Sequence, residues 1–436
     1  MLNATTPRDF RNAAAAGASV VRLVASWASV SPDKPPSRTQ ARDPQWDGYH
    51  WGGLDRLVKQ AHAEGLDPLV TVGDPPKWAA QLPPRRPHGP WNVDVRGFSD
   101  FGRAVATRYS GRLEGLPSVR KWMVWNEPNL ARYLNPQFGA GTPRSPGIYR
   151  SLLNAFADEV HAVRTDNVVI AGGTAPFTAW KAKTKAQWGM GPLTFMRTLL
   201  CLSPKLKPTC SARAKFDVWA HHPYTSGGPT HTAYRAADVS LGDLPEMRAV
   251  LDAAIKYRRI ASLHRPLFWV TEFSWDTSPP DPKGVPLSLH ARWVSEALYQ
   301  MWRSKVSLVL WYGIRDEPFP RSPYQSGLFF GGDAGKAKPA LQAFRFPFVA
   351  YREGGALVTW GRTPAGKTGT VVVEQRVGGA WRRVGTVATN RNGVFARTFA
   401  AKATGPVRAR MGTADGSRPF SLQRPPDRAV LPFGSV

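Results

Sequence analysis

The chain has 436 residues, enough for two domains or for one large and one small, and 42% of them are hydrophobic, with 17 Trp and 20 Phe. Such a composition excludes wholesale disorder, and no apolar run approaches the roughly 18 residues needed to cross a bilayer. The formal charge is +27, from 58 Lys and Arg against 31 Asp and Glu.

The opening "MLNATTPRDFRNAAAAGAS" lacks the charged-then-apolar order of a signal peptide and reads as a helix with a short polar lead. From there, short apolar strands alternate with helical stretches. Strands are predicted at 19–27, 67–73, 119–127, 167–173, 216–222, 266–272 and 307–313. Helices are predicted at 51–65, 98–111 and 145–164, the last with a Ser-Pro start suited to a first turn. Four more fall near 192–202, 243–260, 288–304 and 338–344. The strands are nearly continuous in apolar residues, as strands covered on both faces should be.

This pattern predicts an α/β fold, a (β/α)8 TIM barrel over residues 1–349, but with seven strands where eight are required. The first helix looks like the one that follows strand one. The expectation is therefore a barrel lacking its first strand in this chain, with that strand and an export signal encoded upstream of Met1. Residues 350–436 change character: "ALVTWGR", "GTVVVEQR", "AWRRVGTVAT" and "GVFARTFA" alternate between Gly-rich turns, predicting a small, sandwich-like all-β domain with a Pro-containing tail. It could bind carbohydrate or cell wall, or cover the barrel's underside; the structural role is favoured.

Residues 350–436 hold 14 Lys and Arg against 4 Asp and Glu. The cations are scattered through the chain instead of forming a dense run, so nucleic acid is not an expected partner. Weak association with an anionic cell-wall polymer is the partner reading that charge does support. Cys201 and Cys210 bracket "LSPKLKPT" without nearby His, a poor zinc site. Their spacing favours a disulfide-closed loop over a pair of structural thiols, and a disulfide points to an oxidising compartment. The expected protein is monomeric, and secreted or cell-wall associated.

Barrel enzymes place reacting groups at the C-terminal ends of strands. Two such ends deliver a glutamate: Glu127 in "VWNEP" and Glu272 in "VTEFSW", 145 positions apart and about three βα units round the ring. Cleaving a glycosidic bond with retention needs such a pair, about 5–5.5 Å apart. Their neighbours fit. Asn126 can bond a sugar 2-hydroxyl, Arg22 can hold Glu272 ionised with its charged fork, and Tyr224 can donate to a carboxylate at this height. Trp311 is the candidate floor under a sugar ring, and Trp78, Trp91 and Trp275 are candidates for sugar stacking. The bland readings are a polar turn for Asn-Glu-Pro, a salt bridge for Arg22 and core packing for the tryptophans. His221 and His222 are adjacent in a strand, so they face opposite sides; no metal site and no cofactor are expected.

At these residues the chain resembles the clan A glycoside hydrolases, with similarity to families 5 and 39 and to cellulase-like enzymes, over about residues 5 to 347. The resemblance implies that Glu127 is the acid/base and Glu272 the nucleophile. It also implies that Arg22 in "VVRL", His222 and Tyr224 in "HHPY", and Trp311 in "LWYG" are substrate-site residues. The implied function is retaining hydrolysis of O-glycosidic bonds in an oligo- or polysaccharide. The alternative is a barrel without turnover that binds carbohydrate or cell wall.

Overall fold

The computed structural model describes residues 4–81, 89–178, 189–332, 335–400, 404–413 and 415–430. Seven strands lie side by side in chain order, every neighbour parallel. They are β1 (Val20–Ser26), β2 (Asp67–Gly73), β3 (Lys121–Val124), β4 (Val168–Thr174), β5 (Val218–His221), β6 (Leu267–Val270) and β7 (Leu308–Val309). Six fall within a predicted run, and β4 overruns its predicted end by one residue, at Thr174. Among the described residues, eight helices of seven residues or more accompany them: α1 (Pro7–Ala15), α2 (Gly52–Ala63), α3 (Val95–Arg108), α4 (Ser145–Val163), α5 (Pro192–Leu199), α6 (Leu244–Lys256), α7 (Leu287–Arg303) and α8 (Pro339–Arg345).

Local chemistry sets the helix starts. Thr6 and Asp9 form a reciprocal capping box with Pro7 at the first position of α1. The Asp94 carboxylate accepts from the Gly97 N–H at the start of α3, and Pro146 sits in the first turn of α4.

Both faces of the sheet are covered. Leu69, Met123, Ile170, Val218, Ala220, Trp269 and Leu310 pack together on the inner face. A larger layer between sheet and helices includes Phe98, Trp122, Tyr149, Phe156 and Trp219, all fully buried. That double burial is why the strands read as unbroken apolar runs.

The sheet curls as a TIM-like barrel whose terminal strands, β1 and β7, do not pair with each other among the described residues. An ion pair bridges this seam near the strands' C-terminal ends: Arg315, in the loop after β7, lies 2.8 Å from Asp9 at the start of α1. Burial works to raise the Asp9 carboxyl, but Arg315 and the cap at Thr6 and Thr5 hold it below its ordinary range. At the opposite end a cavity of about 980 Å³ is lined by Val20, Leu308, Val309, Trp302, Phe344 and Trp360 among others.

The second domain opens with β8 (Phe348–Glu353), followed by β9 (Ala356–Arg362), β10 (Thr370–Val377), β11 (Ala380–Ala388), β12 (Val394–Ala400) and β13 (Val407–Met411). One sheet has the order β8-β9-β12; the other runs β11-β10-β13 and adds a short strand at Asp415–Gly416. Phe348, Leu357, Val371, Val373, Phe395, Phe399 and Val407 fill the space between them. The domain docks on α7, where Tyr299 and Trp302 meet Trp360 at ring separations of 5.5 and 5.7 Å. Beyond Gly416 the chain returns to the barrel, and Val430 is buried in the barrel's own core layer. Cys201 and Cys210 are joined as a disulfide. No described helix is long and apolar enough to cross a membrane.

Candidate active site

The question raised by "VWNEP" is answered by the backbone at the end of β3. Trp125 N–H still bonds to Val72 O at 2.8 Å, the last rung towards β2. Trp125 and Glu127 then adopt left-handed conformations, with φ of 70° and 42°. Non-glycine residues pay conformational energy there and hold it only where surroundings enforce it. Here the Glu127 N–H is anchored to Gly173 O at 3.0 Å. Gly173 itself has φ 56°, a conformation that favours glycine, and a Cβ there would crowd the tip of the Met123 side chain. The strand is thus broken in a way that turns Glu127 into the mouth of the barrel.

Arg22 reaches the same place from inside β1. Its side chain is buried, and each branch of the guanidinium has a partner: Nε donates to Thr71 Oγ1 at 2.7 Å, Nη1 to Glu272 Oε1 at 2.5 Å, and Nη2 to Asn126 Oδ1 at 2.8 Å. The planar fork aims its donors at three groups held apart by the sheet, a spread that the single nitrogen of a lysine does not have. Because the Asn126 oxygen is engaged by Arg22, its amide N–H groups are left for a ligand.

His222 follows β5 and is fully buried. Its Nδ1 lies 3.0 Å from Glu127 Oε1 and 3.7 Å from Glu272 Oε2, while Nε2 meets Thr271 Oγ1 at 3.1 Å. With a proton on Nδ1 the ring donates to the Glu127 carboxyl oxygen, and Nε2 accepts from the Thr271 hydroxyl. The Tyr224 hydroxyl donates to Glu272 Oε2 at 3.2 Å. Burial and the Glu272 charge raise the Tyr224 hydroxyl well above its usual range, keeping it a donor. Burial works to raise the Glu272 carboxyl too, but His222, Arg22 and Tyr224 outweigh it and hold Glu272 below its ordinary range.

Glu127, His222 and Glu272 present ligand atoms that all lie within 4.8 Å of one another. That spacing would admit a divalent ion, but Arg22 already neutralises Glu272 and its fixed positive charge opposes a second cation. The other histidine of the pair, His221, faces away: Nδ1 meets Thr174 Oγ1 at 2.8 Å and Nε2 meets Val239 O at 2.9 Å. Burial lowers its pKa to about 3, so it is neutral.

Arg22, Asn126, Glu127, His222, Tyr224 and Glu272 therefore converge at one pocket. Two of the aromatic expectations are corrected. Trp311 is 1% exposed, donates to Ser326 O and packs against Phe273, His290 and Phe344, in the layer between sheet and helices. It is not the floor of the site. Its neighbour Tyr312 is half-buried and stands beside Tyr224 and Tyr324, at ring separations of 6.5 and 5.1 Å. Trp275 is 4% exposed, wedged between Phe273 and Trp293 with its N–H on Gly227 O, and has no face free for a sugar. Trp78 is half-buried, edge-on to Trp27 and bonded to Ser31 O. Trp91 is also half-buried and pairs with Gln81.

Sequence reasoning missed Thr71 and Thr271, which support Arg22 and His222, although each occupies a strand or strand end that points an oxygen inward. It also missed Tyr133 and Tyr324. The Trp125 ring N–H donates to Tyr133 O at 2.7 Å and Tyr324 stands 5.1 Å from Tyr312, and burial together with the Glu127 and Glu272 charges raises both hydroxyls. They lie on loops, where no periodic signal marks them.

No protein-family model matches the chain, and no curated protein is similar to it in sequence. Solved structures are similar in fold. A family 39 glycoside hydrolase from Bacteroides cellulosilyticus WH2 aligns at TM-score 0.55 and 16% identity, covering 90% of this chain and 76% of that one. A monomeric β-xylosidase from Caulobacter crescentus CB15 aligns at TM-score 0.51 and 17% identity, covering 86% and 79%. The GH39 enzyme from Xanthomonas axonopodis pv. citri aligns at 0.50 and 16%, covering 92% and 89%. A curled parallel α/β sheet followed by an all-β domain, with these neighbours, gives this chain the fold of the family 39 glycoside hydrolases.

Proposed function

We propose that the protein is a retaining O-glycoside hydrolase acting on an oligo- or polysaccharide through a covalent glycosyl-enzyme. The observation that carries this reading is the meeting of Glu127 and Glu272, from strand ends far apart in the chain, with carboxylate oxygens within 4.8 Å. Retaining enzymes need the closer of the two carboxylate spacings known for glycosidases, because no water stands between acid and nucleophile. The neighbours in fold, among them a β-xylosidase, support a glycoside as substrate.

In this reading Glu127 donates its proton to the departing glycosidic oxygen while Glu272, kept ionised, attacks the anomeric carbon. The bond from that carbon to the leaving oxygen breaks as the bond to the Glu272 oxygen forms. Glu127, now ionised, takes a proton from water, which displaces Glu272 and returns it as a free carboxylate. Asn126 offers N–H groups to the sugar 2-hydroxyl, a contact that strengthens in the transition state. The disulfide and the excess of positive charge support an extracellular or cell-wall setting.

Incubation with a panel of 2-fluoro-glycosides, followed by peptide mass mapping, tests the assignment. The expected label sits on Glu272 and identifies the glycone. Glu127→Ala should abolish turnover of aryl glycosides, with azide restoring part of it by replacing the water. A label elsewhere, or full activity in Glu272→Gln, would overturn the mechanism.

A further inference from the structure

The second domain is not confined to the barrel's underside. After Phe420, whose ring lies under the Arg292 guanidinium at 4.2 Å, the same arginine donates to Ser421 O at 2.8 Å. The chain then runs along the barrel to its mouth, where Arg428 donates to Gly284 O at 3.2 Å and the Val430 N–H donates to Ser226 O at 2.9 Å. Val430 is 9% exposed and belongs to the barrel's core layer.

The two contact points are placed where they bear on the site. Ser226 is two residues beyond Tyr224, whose hydroxyl holds Glu272. Gly227 O accepts the Trp275 N–H at 3.0 Å, so the loop after β5 is tied to the loop after β6, three residues from Glu272. Gly284 closes the second loop. A Cβ there would lie 2.4 Å from the Thr277 carbonyl carbon, so its backbone packs directly on the strand pairing Thr277–Ser278 with Val285–Pro286.

We propose that residues 420–430 are a strap that positions the nucleophile: the accessory domain acts on catalysis by clamping the β5 and β6 loops, and Val430 is a positioning residue. The physical case is one of order. Loops at a barrel mouth open at low cost unless they are tied down, and a misplacement of about 1 Å at a reacting group can cost on the order of 10²-fold in rate. The consequence for turnover rests on the hydrolase reading above; the consequence for loop order does not.

The test compares the full chain with a form truncated after Gln423 and with Val430→Asp, which places a charge in the apolar seat without shortening the chain. Hydrogen exchange is read by mass spectrometry over residues 224–230 and 275–286, and kcat and KM are measured on the best glycoside from the panel. The expected result is faster exchange confined to those two loops, with kcat down about tenfold and KM changed less. A synthetic peptide of residues 418–436 added to the truncated form should restore both. Unchanged exchange in the two loops, exchange rising equally across the whole barrel, or no recovery with the peptide would overturn the strap. If the full chain cleaves no glycoside at all, the exchange result still decides whether the strap exists, and the hydrolase reading fails separately.

Discussion

Arg22 Nη1 stands 2.5 Å from Glu272 Oε1, and the two residues are 250 positions apart in the chain. The same guanidinium holds Asn126 and is itself held by Thr71. One buried side chain on β1 thus ties its strand to β2 and to the ends of β3 and β6, and aligns two groups of the site.

Removing it should be costly twice over. Arg22→Met leaves the Glu272 charge without its partner, and breaking a buried pair in this way costs about 3–5 kcal/mol. The expected outcome is a stability loss of that order in urea unfolding and a fall in kcat/KM of roughly 10²-fold, on the scale of other lost electrostatic contacts at reacting groups. Arg22→Lys should recover charge but not the fork, and so remain well below the parent in activity.

The pH dependence follows from the same pair. Glu272 is held below its ordinary range in the fold, so it stays ionised at pH values where a free glutamate is already protonated. The acid limb of kcat/KM should therefore lie below the ordinary glutamate value of about 4.3. The stability that the pairing contributes is present above the unfolded-state pKa and is lost as pH falls through the folded one. In Arg22→Met, burial acts with less opposition and the acid limb should move upward. A limb that stays in place in the variant would show that Arg22 does not control Glu272.

Tyr312 and Trp311 should separate cleanly. Trp311→Ala opens a cavity in the layer beneath α7 and α8 and is expected to destabilise by about 3–5 kcal/mol. Tyr312→Ala removes a half-buried ring from the wall of the site. It should raise KM several-fold while leaving the unfolding midpoint nearly unchanged. The opposite pattern would return Trp311 to the pocket.

Asp276, in the loop after β6, accepts from the Gln325 N–H at 2.8 Å. Burial, reinforced by the Asp281 charge, pushes its carboxyl up to about 7 against the pull of that bond and of Lys338. The neutral acid is thus the form the fold prefers. Its stabilising contribution is complete below the unfolded-state pKa and disappears as pH rises towards 7. Asp276→Asn should be close to neutral at pH 4 and increasingly more stable than the parent up to pH 7, by on the order of 2 kcal/mol. Thermal unfolding across that range measures it.

Much of this was legible in the chain. The seven strands announced themselves because each is buried on both faces and must be apolar at nearly every position. The glutamates stood out because a carboxylate at the end of such a run has little structural reason to be there. Trp311 and Trp275 misled for a physical reason. At a strand end one residue's rotation exchanges the inner face for the outer, and "LWYG" alone does not say which aromatic turns inward. Tyr133 and Tyr324 lie in loops, where spacing carries no directional information.

The sequence by itself determined the alternation of strand and helix, the change to an all-β domain, and the residue types able to perform acid and nucleophilic chemistry, because these depend on local periodicity and on side-chain chemistry. Only the tertiary structure decided that Arg22, His222, Tyr224 and the two glutamates share one pocket, which aromatic rings face it, and that the C-terminal strap returns to its rim. Those relations are set by the closing curvature of the sheet and by contacts between segments up to 250 positions apart, and no local pattern encodes them.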